Sequence, residues 1–452
     1  MKRARFLSFL MAMMLLAGCG QTDSTATTTA GGEATTTTDA AETDTVTTTT
    51  ISSKSSNQSQ KPTSSKVTTT TTEFVIENTV TTFKRINPER SAKETAQLIN
   101  NNLSAPATKI ASEKSLVWYP KSADEWTYSH HVSVAVFKGK VYVTWSNGRV
   151  NEDDCGQRIM YSYSSDFKTW STPKTLPFGQ TEVGQYAEVV KLNGYLYTHG
   201  GKLYASFGSS EYLPDNMMGP NVRPYQDEPR VNYESYLIST TDGVNWTREI
   251  GGVGISRPPS LVTKRCFNIG SEGTLSFTDD PSGRTGWDSG AVSGNMENIK
   301  KEYGISLICE GTSYQTADGI VRAMWRTDCD YILMAESYNN GVTFTRPYMT
   351  KFKNGYSMFV FGHLNDGRTF CIYNPTGRER NPLSIVLSED GINFNKEYTL
   401  RDETQWQQFT GLWKGGDYGY PKYFIDGDYM YIAYSIEKEG VEVTRIKISD
   451  LK

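Results

Sequence analysis

One short pattern, repeated four times, constrains the fold of this chain more than any other feature. It reads Ser165-Asp166-Phe167-Lys168-Thr169-Trp170, Thr241-Asp242-Gly243-Val244-Asn245-Trp246, Asn339-Asn340-Gly341-Val342-Thr343-Phe344 and Glu389-Asp390-Gly391-Ile392-Asn393-Phe394. Each copy places Asp or Asn four residues before an aromatic, and three of the four place Gly three before it. The chemistry is that of a turn between strands. The acid or amide accepts backbone N–H groups, Gly supplies a positive φ, and the aromatic opens the next strand by plugging into the sheet. Apolar runs ending in Ser precede two of the turns, Tyr236-Leu237-Ile238-Ser239 and Ser384-Ile385-Val386-Leu387-Ser388.

A second, tighter turn alternates with the first. It appears at Lys138-Gly139, Leu192-Asn193-Gly194-Tyr195-Leu196, Asp318-Gly319, Asp366-Gly367 and Asp426-Gly427-Asp428, with a poorer copy at Glu272-Gly273. Two turn types alternating at a spacing of about 50 residues describe four-stranded antiparallel blades, so the expected fold is an all-β propeller over residues 112–452. Aromatic residues at 12% and 39 Gly suit strands and turns and exclude an all-helical chain. Six blades are counted, one lengthened at residues 214–230; a seventh concealed in residues 192–233 is the alternative. Only three strands follow Tyr420. The fourth strand of that blade is expected from residues 112–119, which closes the ring and hides an edge. Leu116 and Trp118 are expected on one face of it, Val117 and Tyr119 on the other.

The first twenty residues read as an address. Lys2, Arg3 and Arg5 are basic, residues 6–16 form an apolar run too short to span a bilayer, and Leu16-Ala17-Gly18-Cys19 ends it. This resembles the lipobox of bacterial lipoproteins. The resemblance implies a signal peptide over residues 1–18, lipid on Cys19 and an extracytoplasmic location at the cell membrane. An ordinary secretory signal with a chance Cys is the plainer alternative. Residues 19–86 read as a disordered tether, because 21 of the 52 residues from 21 to 72 are Thr and 8 are Ser. Such a segment has too few apolar side chains to offset its ordering entropy, and its flexible span is roughly 40 Å. Residues 87–111 read as a short helical lead-in. Asn87 would cap it, Pro88 and Glu89 would fill its first turn, and Ser104-Ala105-Pro106 would close it. Nothing up to Asn102 is expected to be buried.

The 46 basic and 50 acidic residues nearly cancel, which argues against nucleic acid as a partner. Besides Cys19 there are Cys155, Cys266, Cys309, Cys329 and Cys371, irregularly spaced and without a CxxC. Buried free thiols are expected, with Cys309 and Cys329 the pair that could meet across strands.

Propellers gather ligands at one mouth of a channel lined by their innermost strands. His130 and His131 head the first such strand. Neighbours on a strand face opposite ways, so one is expected to face the channel and the other to pack between blades; a satisfied structural role is the plainer reading. The following loop carries Trp145, Asn147 and Glu152-Asp153-Asp154-Cys155-Gly156-Gln157. Trp145 could stack on a sugar and Asn147 could bond hydroxyls, or the loop could be a solvated acidic one with room for a structural Ca²⁺. No other cofactor is expected. Glu310 precedes a hairpin, Arg326 ends the strand returning from it, and Arg378 and Arg380 occupy the comparable loop one blade on. Arg forks match carboxylates, so these three are candidate receptors for an acidic sugar, with surface salt bridges as the alternative.

The four turns look like the Asp-box, or BNR repeat, of sialidase-like propellers. Tyr128-Ser129-His130-His131, Trp145-Ser146-Asn147-Gly148, the Glu152 to Gln157 loop, the Arg-bearing loop before Pro382-Leu383, and Gly419-Tyr420-Pro421 through Tyr434-Ser435 to Lys438-Glu439 and Val443 resemble more narrowly a branch that includes L-rhamnose-α-1,4-D-glucuronate lyases and α-L-rhamnosidases. That resemblance implies a catalytic His, which maps to His131 or His130, and Arg residues on a uronate carboxylate. The substrate-binding candidates are Trp145, Asn147, Glu310, Arg326, Arg378, Arg380 and Tyr420. A sialidase would instead carry three Arg on one carboxylate, a Tyr–Glu nucleophile pair and an Arg-Ile-Pro motif near the first blade. No Arg-Ile-Pro occurs, and Arg257-Pro258-Pro259 lies too far along. The expected function is a cell-surface carbohydrate-active enzyme, glycoside hydrolase or polysaccharide lyase, that cleaves terminal sugars from acidic or uronate-containing oligo- or polysaccharides. The alternatives are a non-catalytic carbohydrate-binding propeller and an exo-sialidase.

Overall fold

The computed structural model describes residues 90–452 apart from 220, 221, 225–229 and 257–262. The signal segment, Cys19, the Thr/Ser tract, the expected cap Asn87-Pro88-Glu89 and Arg257-Pro258-Pro259 lie outside the described residues. Among the described residues no helix is long and apolar enough to cross a membrane.

Six antiparallel sheets follow one another along the chain as blades of a propeller. The first comprises Tyr128–Phe137, Lys140–Gly148, Arg158–Ser164 and Lys174–Thr175, and the second Val190–His199, Lys202–Glu211, Val231–Thr240 and Thr247–Arg248. The third has three strands, Cys266–Ile269, Leu275–Thr278 and Asp288–Ser289. The fourth runs through Ile308–Gln315, Val321–Thr327, Tyr331–Ser337 and Tyr348–Lys353, and the fifth through Val360–His363, Thr369–Tyr373, Leu383–Ser388 and Lys396–Arg401. Tyr418–Asp426, Tyr429–Ile436 and Gly440–Lys447 begin the sixth. Ser112–Trp118 completes it, antiparallel to Gly440–Lys447 with Ser112 opposite Ile446 and Ser115 opposite Val443. The ring therefore closes as the strand count requires. The faces of the closing strand differ from expectation, because a register shift between Leu116 and Trp118 breaks the alternation. Val117 and Trp118 pack toward one core, and Leu116 is left 51% exposed.

Among the described residues there is no seventh blade, and Asn193-Gly194 is not a hairpin. Both residues lie inside the single strand Val190–His199, and the chain turns at Gly200-Gly201 instead. Gly194 sits at a register shift where a Cβ would lie 2.6 Å from Ser206 Oγ, so its bareness serves close packing rather than a turn.

The core is divided among the blade interfaces. Six apolar clusters fill the wedges between neighbours, including one that joins the last blade to the first through Val117, Val132, Trp145, Tyr431 and Val443. The repeated turns bind the same wedges from outside. Asp242 Oδ1 accepts the N–H groups of Val244 and Asn245, both at 2.8 Å, and Asp390 Oδ1 those of Ile392 and Asn393, both at 2.8 Å. The turn glycines adopt φ of 79°, 81° and 68° at Gly243, Gly341 and Gly391. Each abuts the preceding blade: a Cβ would lie 2.0 Å from Tyr142 at Gly243, 2.0 Å from Phe267 at Gly341 and 2.6 Å from Thr316 at Gly391. The first turn has Phe167 at φ 61° instead, stacked edge-on against Tyr431 of the sixth blade. A fifth, longer turn escapes the four-residue spacing. Asp280 accepts from Ser282 and Thr285, and the aromatic arrives only at Trp287.

The lead-in is built into the ring. Its helix is Ala92–Leu98, four residues later than the expected cap would start it, and Ser91 and Glu94 form a reciprocal capping box. Ala96 and Ile99 are fully buried against the fourth and fifth blades, contrary to the expectation that nothing before Asn102 is covered. Asn100 O accepts the Phe394 N–H at 2.9 Å, and Asn101 bridges Lys353 and Tyr373. Thr108–Lys109 then adds a short parallel strand to the fifth blade. All five described cysteines are free thiols, four of them buried.

Candidate active site

At the channel mouth where the innermost strands begin, three of those strands break register at one point. The shifts fall between His130 and Ser133, Cys309 and Thr312, and Gly419 and Lys422. The residues that absorb them are His131 at φ 52°, Glu310 at φ 50° and Tyr420 at φ 57°. A bulge of this kind re-aims a side chain, and a non-glycine residue held at positive φ costs about 1–3 kcal/mol that the surrounding packing must sustain. Here the re-aimed side chains meet. The Tyr420 hydroxyl donates to Glu310 Oε1, and Arg326 Nη1 donates to Glu310 Oε2 at 2.7 Å and to the Tyr420 oxygen at 3.3 Å. Tyr420 is buried, and burial followed by the Glu310 charge pushes its phenol well above the ordinary tyrosine range.

Arg380 flanks the same ring, its guanidinium 5.2 Å from the Tyr420 centroid. It is 5% exposed, and its Nη1 has no hydrogen-bond partner. Gly419 leaves the space it occupies, since a Cβ there would lie 2.7 Å from Arg380 Nη1 and 3.3 Å from His130 Cε1.

The two histidines both reach this cluster, because the bulge places their rings together, 4.7 Å apart, instead of on opposite faces. His130 is fully buried, with Nδ1 2.7 Å from Ser435 Oγ of the sixth blade and Nε2 unpartnered. His131 stacks on Tyr420 at 5.4 Å. Burial, then neighbouring cations, hold His130 well below the usual histidine range; burial brings His131 down to about 4. Both rings are neutral at neutral pH.

The acidic loop is neither solvated nor free. Glu152 accepts from Lys438 Nζ at 2.8 Å and from the Tyr128 hydroxyl at 3.2 Å, Asp153 pairs with Arg230 at 2.6 Å, and Asp154 accepts from Asn151. Asp153 stays ionised: burial opposes this, but Arg230 and Arg223 bring it to about 2. His130, His131 and Glu152 offer donor atoms within 4.8 Å of one another. Two imidazoles and one carboxylate suit a transition metal or zinc better than Ca²⁺, which prefers oxygen ligands.

Three expected residues stand apart. Trp145 is fully buried in the wedge between the first and sixth blades and presents no face to a sugar. Asn147 is buried with its amide donated to Tyr128 O at 2.9 Å and its oxygen taken by Arg158 Nε at 3.0 Å. Arg378 is exposed and lies over Tyr356, 5.0 Å from its centroid, although it is only two residues from Arg380. Conversely, Glu437 and Asp417 belong to the mouth and are not among the expected residues, and the neighbouring Lys438-Glu439 entered only as part of the resembling segment, with no role. Their signal in the sequence is three consecutive charges in a hairpin turn between apolar strands.

Residues 255–432 match the BNR repeat-like domain. No curated protein matches the sequence. Among solved structures the fold is similar to that of a sialidase, at 14% identity and TM-score 0.53 over 77% of this chain and 35% of that one. It is also similar to a protein of unknown function from Dyadobacter fermentans, at 18% identity and TM-score 0.54 over 74% of this chain and 98% of that one. The intramolecular trans-sialidase from Ruminococcus gnavus, solved with oseltamivir carboxylate, aligns at 13% identity and TM-score 0.50 over 74% of this chain and 98% of that one. The chain thus spans about a third of the length of the first of these proteins, and identities this low speak to fold alone. Six blades, the clasping Asp turns and a repeat domain matched over residues 255–432 give this chain a six-bladed β-propeller fold similar to that of sialidases.

Proposed function

We propose that the propeller is a glycosidase that removes a terminal carboxylate-bearing sugar, with Tyr420 as nucleophile. The observation that carries this reading is the Tyr420 hydroxyl donated to the Glu310 carboxylate inside a buried cluster of Arg326 and Arg380. A phenol is a poor nucleophile at its own pKa and needs an adjacent base, which is the place Glu310 occupies. As the Tyr420 oxygen attacks the anomeric carbon, its proton passes to Glu310, and a covalent glycosyl–tyrosine forms as in glycosidases that use a Tyr nucleophile. Arg326 and Arg380 supply the fixed positive charge for the sugar carboxylate, and the unpartnered Arg380 Nη1 is a donor that such a group would satisfy. The first blade contributes two neutral histidines where a sialidase would carry its Arg-Ile-Pro arginine. The carboxylate would then be held by two arginines, with the imidazoles contacting the sugar ring. The lipobox supports a second proposal, that the enzyme works outside the cytoplasm, attached through Cys19 and meeting polymeric glycans at the cell surface.

The test is a panel of sialylated, glucuronate-terminated and rhamnose-capped glucuronate glycans, read by reducing sugar and by the ultraviolet absorbance of unsaturated uronate. Release of an acidic monosaccharide that falls at least ~10³-fold in Tyr420→Phe supports the reading. Unsaturated product that persists in Tyr420→Phe and disappears in His131→Ala would replace it with a lyase. Binding without turnover would leave a carbohydrate-binding propeller.

A further inference from the structure

The glycosidase reading leaves one role without a residue, the proton donor to the leaving group. The acidic loop cannot fill it, because Glu152 is held by Lys438, Asp153 by Arg230 and Asp154 by Asn151. We propose that a second acid pair at the same mouth, Asp417 with Glu437, is the general acid and base of the reaction, Glu437 carrying the proton. This rests on the glycosidase reading of the Tyr420 cluster.

Four observations place the pair. Asp417 opens the approach to the sixth blade's inner strand, and Glu437 sits at φ 52° in the turn between that blade's second and third strands. The two backbones are tied by Glu437 N–H to Asp417 O at 3.4 Å, and the two carboxyls are hydrogen-bonded to each other. One oxygen of Asp417 is fixed from the other side, accepting from Asn381 Nδ2 at 2.6 Å and Gln405 N–H at 3.0 Å, so Asp417 is the anchored member. Gly415 and Gly416, at φ 104° and 88°, run past the pair without side chains: a Cβ at Gly415 would lie 3.8 Å from Glu437 Oε2, and one at Gly416 2.7 Å from Arg380 Cδ. The bare Gly415-Gly416 backbone thus passes both the acid pair and Arg380, whose guanidinium flanks Tyr420 and whose Nη1 has no hydrogen-bond partner.

The charges facing Glu437 are Asp417, Glu439 and Arg380. Glu439 is already committed to Tyr119, Lys414 and two backbone N–H groups of the loop above it. Burial first, then the shared proton and charge of Asp417, raise Glu437 to about 7, against the weaker pull of Arg380. Raised in this way by burial and a neighbouring carboxyl, Glu437 can carry a proton near neutral pH.

In the first half-reaction the glycosidic C–O bond breaks as the Tyr420 O–C bond forms. The Glu437 proton goes to the departing oxygen, and the Tyr420 proton goes to Glu310. In the second, water attacks the anomeric carbon and gives its proton to Glu437, while Tyr420 leaves and recovers its proton from Glu310. Atoms and charge balance over the cycle with water as the only co-reactant.

The experiment measures kcat against pH for wild type, Glu437→Gln and Asp417→Asn on two substrates of one acidic sugar, a nitrophenyl glycoside and a methyl glycoside. Glu437→Gln is expected to lose about 10²-fold or more on the methyl glycoside, whose leaving group needs a proton, and much less on the nitrophenyl glycoside. Asp417→Asn removes the neighbouring charge, so Glu437 ionises more readily and the alkaline limb of the wild-type profile moves to lower pH. Equal losses on both substrates in a Glu437→Gln protein that melts as wild type, or an unmoved limb in Asp417→Asn, would overturn the assignment while leaving Tyr420 in place. Wild type that cleaves neither substrate, nor any glycan of the panel above, would overturn both readings.

Discussion

Left-handed backbone occurs at both ends of this ring, but it is carried by different residues. At the outer turns, three of the four boxes use Gly, at Gly243, Gly341 and Gly391, where positive φ is free of steric cost and the missing Cβ lets one blade touch the next. At the channel mouth it falls on His131, Glu310, Arg380, Tyr420, Glu437 and Lys438, all with side chains, the first two half-buried and the other four buried. The inner strands antiparallel-pair from mouth to far end, so these sets lie on opposite faces of the propeller. One face spends glycine to hold the ring together; the other accepts strain to aim functional groups.

The sharpest way to break this contrast is to remove function without touching stability. Glu310→Gln keeps the size and one hydrogen bond to Arg326 but cannot take the Tyr420 proton. Turnover of an acidic glycoside should fall about 10²–10⁴-fold, with a melting temperature close to wild type. A large fall in melting temperature would mean that the mouth acids are structural ion pairs.

The converse experiment strips the outer turns of a support. A chain beginning at residue 90 keeps the helix Ala92–Leu98 and should melt as the full chain does. One beginning at residue 103 loses buried Ala96 and Ile99 and the Asn100 contact to the Phe394 turn. Uncovering apolar side chains of that size should cost about 2–5 kcal/mol, visible as a lower denaturation midpoint. Equal midpoints would show that the lead-in only rests on the ring.

Gly341→Ala asks the same of one turn. Its methyl would enter the Phe267 ring at a φ that alanine resists, so a loss of about 1–3 kcal/mol is expected with catalytic constants unchanged. Gly367→Ala is the control for backbone alone, because φ is 91° there and nothing lies within 4 Å of its Cβ. If the two variants lose equally, the glycines serve φ and not the contact between blades.

The contrast also explains what the sequence makes legible. Outer turns are local devices: an acid, a glycine and an aromatic at fixed spacing do their work within six residues, so six blades and the closing strand could be read directly. The turn at Asp280 was missed because three extra residues separate it from Trp287. Asn193-Gly194 was misread because a turn glycine and a bulge glycine look alike without their partners. The mouth is assembled from residues far apart in the chain, such as Tyr420 and Glu310, and its bulges leave no local mark. Side-chain chemistry therefore picked out Arg326, Arg380, Glu310 and the histidines, whereas Tyr420 came only with the family resemblance. It also picked Trp145 and Asn147, whose neighbours turned out to be core.

The smallest effect concerns the acid within an outer turn. Burial alone would raise the Asp390 carboxyl, but the N–H groups of Asn393 and Ile392 hold it below the usual carboxylate range. A carboxyl depressed in the fold contributes stability above its unfolded pKa and loses it as pH falls through the folded one. The third turn already uses an amide, one residue earlier than the expected Asn340: Asn339 Oδ1 takes the Thr343 N–H at 2.9 Å, while Asn340 Oδ1 accepts from Thr263 Oγ1 at 2.6 Å. Asp390→Asn should therefore fold, at a cost of about 1 kcal/mol near neutral pH. Its melting temperature should converge on that of wild type as the solution is acidified. A gap that stays constant with pH would mean that shape, and not charge, is what the carboxylate brings to the turn.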